Sequence, residues 1–225
     1  GAGGCNSFTR FYLALLGQIR YDECPTVPPE LTLIPKHWGF SLYAMSSWTR
    51  TIVVPLSIVS HFKPVRKPPV GIDELFVDGV KRWTRPKHPL LSWSRFFLAA
   101  DRGLKWFDRL APAALRRRGV KAAHRWMVEH FEDSDGVGAI YPPMVYTILA
   151  LHCLGYEPDS QAVAWAWRQL EDLRIDEGDT TRFQPCVSPV WDTAIAAIAL
   201  SDADEPADEG AVEKAAEWLL SKEIR

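Results

Sequence analysis

The sequence predicts an all-α protein built from helical hairpins that pack side by side. Apolar residues recur at helical spacing through most of the 225 residues, and hardly any stretch alternates as a strand would. A pattern in the second half of the chain also returns after 46 residues. A repeated helical hairpin cannot bury its apolar face alone. Such hairpins therefore stack as a solenoid or close into an α/α toroid, in which the ends of the inner helices surround a cavity.

Apolar stripes predict eight helices in chain order. They cover residues 8–19, 41–60, 91–110, 112–131, 143–154, 160–173, 189–200 and 208–223. Ser188 is a favourable N-cap before Pro189, and Pro143 is expected to open its helix in the same way. Pro55 is expected to kink or interrupt the second helix, because it removes an amide donor and clashes with the preceding turn. Residues 61–89 are rich in Lys, Arg and Pro, which predicts a long irregular connection.

The repeat aligns two helical hairpins. Three pairs of identical residues lie 46 positions apart: Pro143 and Pro189, Thr147 and Thr193, and Leu154 and Leu200. Trp126 precedes Trp218 by 92 residues, twice that period. The chain has ten tryptophans, and those on the repeat helices are expected to be architectural: Trp126, Trp165, Trp167 and Trp218.

Composition and charge exclude several classes of protein. Hydrophobic residues make up 47% and charged residues 24%, which is typical of a globular chain rather than a disordered one. The net charge of -2 argues against a nucleic-acid partner. The four cysteines form no CxxC pair, which disfavours a zinc site and favours reduced thiols in a cytosolic setting. No stretch reaches the roughly 20 apolar residues of a membrane-spanning helix, while monotopic attachment stays open.

A basic cluster lies near the start of the fourth helix, at Arg116, Arg117, Arg118 and Lys121. A solvated helix start is the favoured interpretation, and contact with anionic lipid is the alternative. The first residue is not Met and the last residues follow a helical pattern, so we expect the chain to be a piece of a longer protein.

The most distinctive segment is Ser188-Pro189-Val190-Trp191-Asp192-Thr193. It places Trp191 and Asp192 in the first turn of a helix. Taken alone, these residues predict that Asp192 completes the helix start, where the dipole favours a carboxylate, and that Trp191 packs in the core.

This segment resembles the SPVWDT motif of the squalene-hopene cyclases, which are class II triterpene cyclases. Further stretches agree in order along the chain: Phe8-Thr9-Arg10, residues 13–17 (LALLG), 27–30 (VPPE), 47–50 (SWTR) and 53–59 (VVPLSIV). The resemblance implies part of a two-barrel class II terpene cyclase. Residues 1–157 would form most of the inserted non-catalytic α-barrel domain, and residues 158–225 the first hairpins of the catalytic α/α-barrel domain.

The resemblance also implies the chemistry. Members protonate a terminal double bond of squalene and close the rings of a pentacyclic triterpene, hopene or hopanol, through a cascade of carbocations that aromatic faces stabilise. Trp48 and Trp191 resemble the two cavity tryptophans of the family. Ile140, Tyr141 and Pro142 fall on a loop that borders the same pocket, and Asp192 is a structural residue beside the site.

The family's general acid is the central aspartate of an Asp-x-Asp-Asp motif, which we expect downstream of this chain. The chain by itself is therefore expected to be inactive. Asp202-Ala203-Asp204-Glu205 resembles the motif superficially, but its position after a helix predicts an acidic loop. Tyr141 stands where relatives usually have Gln, which indicates a divergent member.

The implied partners are squalene or a related polyprenyl substrate and a membrane lipid surface, with monotopic attachment at the cytoplasmic face of the bacterial membrane. A homodimer is a further expectation, and no metal or cofactor is expected. Two alternatives stay open: a cyclase of another polyprenyl substrate, and a non-catalytic helical-repeat binding module. In a cyclase Trp48 and Trp191 project into a shared cavity, whereas in a binding module they pack in unrelated cores.

Overall fold

The computed structural model describes residues 5–69, 71, 92–131, 137–203 and 209–223. The chain divides into two compact units, Gly1–Asp172 and Leu173–Arg225. Helices make up most of the described residues, which confirms the predicted all-α class. None of the described helices is both long and apolar enough to cross a bilayer.

The first unit contains six α-helices and three short 3-10 turns within its described residues. The helices are α1 (Ser7–Leu15), α2 (Ser47–Phe62), α3 (Trp93–Leu110), α4 (Ala113–Glu129), α5 (Tyr141–Cys153) and α6 (Gln161–Glu171). The 3-10 turns are Tyr21–Glu23, Pro29–Leu33 and Leu42–Ala44. The irregular connection predicted after α2 is seen at residues 63–69, whereas residues 70 and 72–91 lie outside the described ranges.

Local capping shifts two helix boundaries from the predicted ones. The Ser46 hydroxyl accepts from the Thr49 amide at 3.2 Å, so α2 begins at Ser47 rather than at residue 41. Gly17 has φ +67°, and α1 ends at Leu15 rather than at residue 19. Of the two effects expected of Pro55, an interruption of the helix is wrong, because α2 continues through it to Phe62, and a kink stays a prediction.

Two apolar clusters share α2 and α5, so this helix pair is the centre of the first unit. One cluster joins Val54 of α2 and Leu151 of α5 to the α4 residue Met127. The other joins Leu56 and Tyr146 to Phe11 of α1. Each fully buried side chain of this size contributes about 1.5–3 kcal/mol.

The four tryptophans of the repeat helices differ in how far they are buried. Trp126 is buried in the core, and Trp165 packs against the same cluster and stacks on Phe131 with ring centroids 4.4 Å apart. Their architectural role is confirmed. Trp167 is 48% exposed, so the same expectation is wrong for it. Trp218 is half-buried on the last helix of the chain.

A buried ion network joins α3 and α4 to the Pro29–Leu33 turn. Arg116 lies 2.9 Å from the Glu30 carboxylate and 2.8 Å from that of Asp108. Arg116 therefore does not belong to the surface basic cluster predicted from the sequence. Arg117, Arg118 and Lys121 are exposed.

The second unit contains a β-hairpin and two helices within its described residues. Strands β1 (Arg174–Glu177) and β2 (Thr180–Phe183) pair antiparallel, with Arg174 opposite Phe183 and Glu177 opposite Thr180. The sequence did not predict this hairpin. Helices α7 (Pro189–Asp202) and α8 (Glu209–Ser221) pack against each other, and no side chain of α7 is fully buried. Asp202 ends α7, and residues 204–205 of the superficial acid motif lie outside the described residues.

Candidate functional site

Trp48 lies in the first turn of α2 and is 60% exposed. Ser46 caps the helix, so that α2 begins at Ser47 and Trp48 is its second residue. Its carbonyl oxygen accepts a hydrogen bond from the Thr51 hydroxyl at 2.8 Å, which holds the turn together. The indole is therefore carried by a fixed backbone while its ring is left open on one side.

The predicted loop residues Ile140, Tyr141 and Pro142 lie at the start of α5. The helix begins at Tyr141 with Pro142 as its second residue, so Pro143 is not its first residue as the sequence suggested. Ile140 is buried, Pro142 is half-buried and Tyr141 is 38% exposed.

A close approach brings this loop to the beginning of α2. Gly138 has φ +84°, and a Cβ atom at this position would lie 2.5 Å from the Thr51 hydroxyl oxygen and 3.3 Å from Cγ of Pro143. Only glycine fits there. Thr51 is one turn after Trp48, so the structure places Trp48 and residues 140–142 at the same end of the α2–α5 pair.

Two residues beside Tyr141 were missed by sequence reasoning. The Tyr12 ring of α1 lies 6.3 Å from the Tyr141 ring and 6.0 Å from the Tyr146 ring, nearly parallel to the latter at 25°. Phe11 meets Tyr146 edge-on at 6.3 Å. Nothing in the sequence pairs α1 with α5, so no pattern could have revealed this tyrosine cluster of Tyr12, Tyr141 and Tyr146.

The tyrosine cluster is uncharged. The hydroxyl of Tyr146 is buried without a hydrogen-bond partner among the described residues, and that of Tyr12 is buried next to Tyr141. Burial raises the pKa of both phenols well above the ordinary value of 10. Both stay neutral at any physiological pH. The cluster is therefore an uncharged aromatic contact between α1 and α5, and Tyr141 is its most exposed member.

Trp191 and Asp192 lie in the second unit, at the start of α7. The Ser188 hydroxyl donates to the Asp192 carboxylate at 2.9 Å, and the Asp192 amide donates to the Ser188 carbonyl at 2.8 Å. The Ser188 side chain thus does not cap the helix amides directly, while Asp192 does help to form the helix start. Trp191 is 69% exposed, so the expectation that it packs in the core is wrong.

The described ranges contain no group of three His, Cys, Asp or Glu side chains able to hold a metal ion. Each unit by itself presents an exposed indole, Trp48 in the first and Trp191 in the second. An exposed indole is suited to contact an apolar ligand and any positive charge that develops on it.

Comparison with known proteins gives this arrangement a context. The family model described as the squalene-hopene cyclase N-terminal domain matches residues 1–179, and the model of the C-terminal domain matches residues 187–225. The chain belongs to the squalene-hopene cyclase family. The resemblance based on the SPVWDT segment and the upstream motifs is therefore confirmed.

Similar proteins within and around the family cover the whole chain. It is 35% identical to dammaradiene synthase of Dryopteris crassirhizoma over 100% of this chain and 33% of that protein. It is 35% identical to the squalene–hopene cyclases of Bradyrhizobium diazoefficiens and Alicyclobacillus acidocaldarius, over 99% of this chain and 34% and 36% of those proteins. The chain thus spans about a third of the length of the squalene-hopene cyclases it matches.

Along the sequence, the first family model ends at residue 179 and the second begins at residue 187. The boundary between the two compact units of the structure falls between Asp172 and Leu173. The domain boundary expected after residue 157, and the 46-residue period itself, stay predictions.

Proposed function

We propose that the protein containing this chain cyclises squalene, or another polyprenyl chain, by a protonation-initiated cascade of carbocations, with a pentacyclic triterpene such as hopene or hopanol as product. Membership of the family supports the reaction class. The acid that starts the cascade is proposed to come from residues outside this chain. The role proposed for the residues of this chain is to bind the polyene and stabilise the positive charge.

The exposure of the two family-matched tryptophans carries this proposal. Trp48 and Trp191 are 60% and 69% exposed on the first turns of their helices, where their faces are available to a ligand. A cation over an indole face gains about 0.5–2 kcal/mol, the larger value when water is excluded. Tyr141, which is 38% exposed, adds a second aromatic side chain to the surface of the first unit. Packing of both indoles in unrelated cores, which a non-catalytic binding module would require, is not seen in the described residues, and their projection into one cavity stays a prediction.

Replacing the tryptophans tests the proposal in the full-length protein. We expect Trp48→Ala and Trp191→Ala each to slow product formation about two- to thirtyfold, because one cation–π contact of about 0.5–2 kcal/mol is lost. We also expect each variant to release prematurely terminated, partly cyclised products, which gas chromatography with mass spectrometry detects.

Trp167→Ala is the matched control, since Trp167 is 48% exposed and belongs to no predicted site. It should leave the product pattern unchanged. If Trp48→Ala and Trp191→Ala also kept the wild-type pattern and rate, the cavity role of both tryptophans would be wrong.

We further propose that α3 attaches the protein to a lipid surface. Its apolar residues follow helical spacing at positions 93, 96, 97, 100, 104, 107 and 110, which makes one half of the helix apolar. That half faces outward: Trp93, Phe96, Phe97 and Leu110 are 60–77% exposed. An outward apolar face of this kind marks an interaction surface.

The polar half of α3 holds the helix to the protein. The Asp101 carboxylate accepts from the Thr26 amide at 2.9 Å, and Asp108 pairs with Arg116 at 2.8 Å and with Lys63 at 3.4 Å. The helix is thus docked by its charges, with its aromatic side chains away from the body of the unit. Such a helix is suited to lie in a bilayer interface. Monotopic attachment at the cytoplasmic face of the bacterial membrane is accordingly the proposed location.

Removing the aromatic side chains of α3 tests this attachment. We expect the double variant Phe96→Ser/Phe97→Ser to bind phosphatidylcholine vesicles at least tenfold more weakly in a sedimentation assay, because each buried Phe contributes about 1.5–3 kcal/mol. Phe183→Ser on β2 is the control, since Phe183 is also half-exposed but lies away from α3 in the chain. Equal binding by both variants would contradict attachment through α3. Dimerisation through the same face would instead appear as a change in sedimentation coefficient without vesicles.

A further inference from the structure

We propose that a cleft at the C-terminal end of α3 binds a phosphate group, either that of an anionic lipid or a soluble phosphate ester. The lipid source rests on the proposed attachment of α3 to a membrane. The cleft lies between the ends of α2 and α3 and the segment 21–26, and it holds about 380 Å³ of empty space counted out to its open mouth. Three basic residues line it, Lys63, Lys105 and Arg109, together with two carboxylates, those of Asp22 and Asp108.

The three cations are not fully neutralised by their neighbours. Lys63 is 3.4 Å from the Asp108 carboxylate, whose other oxygen is already bound by Arg116 at 2.8 Å. Arg109 is exposed and makes no ion pair within the described part of the chain. Only Lys105 has a close carboxylate of its own, that of Asp101 at 2.7 Å. Asp22 also lines the cleft and pairs with Arg20 at 2.9 Å, and Arg116 shares its charge with Glu30. Five cations therefore face four carboxylates, and the one positive charge left over is what a phosphate anion would balance.

The backbone fixes the cations at the cleft. Lys63 is the C-cap of α2 with φ +52°, a left-handed conformation that turns the chain at the mouth of the cleft. Arg109 lies in the last turn of α3, one turn after Lys105. An Arg guanidinium offers paired donors to phosphate oxygens, and a Lys ammonium adds a point charge.

The position of the cleft relative to the apolar face of α3 favours a membrane phosphate. Arg95, Arg102 and Arg109 are spaced seven residues apart and so share one side of α3, next to Trp106. They form a basic stripe on the polar side of the helix, opposite the centre of its apolar half, and the cleft lies at the C-terminal end of that stripe. When such a helix lies in the bilayer interface with its apolar half toward the acyl chains, its polar side lies at the depth of the headgroup phosphates.

The test compares two double variants of the full-length protein with the same net charge. Lys63→Asn/Arg109→Gln removes two cleft cations, and Asn tolerates the left-handed backbone at position 63. Arg117→Gln/Arg118→Gln removes two exposed cations of α4 outside the cleft. Circular dichroism melting confirms that both variants fold. Binding is measured by sedimentation with vesicles of phosphatidylcholine alone or mixed with phosphatidylglycerol.

We expect the wild type to bind the mixed vesicles more tightly than phosphatidylcholine alone. The cleft variant should lose about 25-fold of this preference, because one basic side chain near an anionic surface contributes about fivefold. Its binding to phosphatidylcholine should not change. The α4 variant should keep most of the preference. Equal losses in the two variants would overturn the proposal, because they would indicate diffuse attraction rather than a site.

Titration of the lipid-free protein with inorganic phosphate and glycerol 3-phosphate, followed by calorimetry, separates the two sources. Binding that the cleft variant loses and the α4 variant keeps supports a site for soluble phosphate compounds. An effect on vesicles alone supports a headgroup site. No difference between the variants in either assay overturns the cleft. Failure of the wild type to bind any vesicle would contradict the attachment of α3, while the phosphate titration would still decide on the cleft.

Discussion

Gly103 and Gly119 both lie inside helices, yet their surroundings predict opposite effects of the same substitution. A Cβ atom on Gly119 of α4 would lie 2.8 Å from the Glu30 amide nitrogen and 2.9 Å from the Pro29 carbonyl carbon. Gly103 of α3 has open space at the same position. The absence of a side chain at Gly119 thus allows α4 to lie directly on the Pro29–Leu33 turn, with the Arg116–Glu30 ion pair beside it.

We expect Gly119→Ala to lower the free energy of unfolding by about 1–3 kcal/mol, because two backbones must separate. Gly103→Ala should raise it by about 0.5–1 kcal/mol, because Ala is the better helix former. Urea denaturation of the two variants checks both signs. A similar change in both proteins would show that the contact between α4 and the turn is looser than the structure has it.

At the scale of elements, helix periodicity predicted where α3 lies but not which half of it meets the protein. The apolar stripe of Trp93, Phe96 and Phe97 is equally compatible with packing in a core and with exposure on an interaction surface. The deciding contacts are those of Asp101 and Asp108 with Thr26 and Arg116, residues far away in the sequence. Pairings of this kind are set by tertiary structure and leave no local pattern.

The β-hairpin shows a different reason for a missed element. Its strands carry charged and hydroxyl side chains on both faces and almost no buried residue, so no alternation of apolar and polar residues marks them. Ion pairs hold it locally, among them Arg182 with Glu177 at 2.8 Å. The turn itself had a readable signal: Gly178-Asp179 is a two-residue hairpin turn, and Gly178 has φ +68°.

The candidate site was predictable in part for the same reasons. Helix-start signals placed Trp191 on a first turn, and the structure finds it there. Trp48 was expected in the middle of a longer helix and residues 140–142 on a loop, whereas the structure places Trp48, Tyr141 and Pro142 on first turns. Two further features follow only from tertiary contacts. Trp48 lies near residues 140–142 because Gly138 contacts Thr51, and Tyr12 lies beside Tyr141 because α1 packs on α5. Both join residues that are distant in the sequence.

At the scale of the whole molecule, the two units differ sharply in what they bury. The first unit has two apolar clusters built around α2 and α5. In the second, α7 has an apolar composition but no fully buried side chain, and its described packing partner is α8. A single helix of 13–14 residues is only marginally stable in water. The helices of the second unit therefore receive little tertiary support within the described residues.

Amide hydrogen exchange of the 225-residue chain should reveal this difference. We expect the amides of α7 and α8 to exchange at least a hundredfold faster than those of α2 and α5, because local opening of a helix without a core costs much less than global unfolding. Within each helix only the central amides are compared, since the first turn lacks intrahelical partners in any helix. Helix α3 is an internal control: it also buries no side chain fully, but its charges tie it to the first unit, so its protection should be intermediate. Protection of α7 equal to that of α5 would show that the apolar face of α7 is covered in solution, and the marginal stability inferred for the second unit would be wrong.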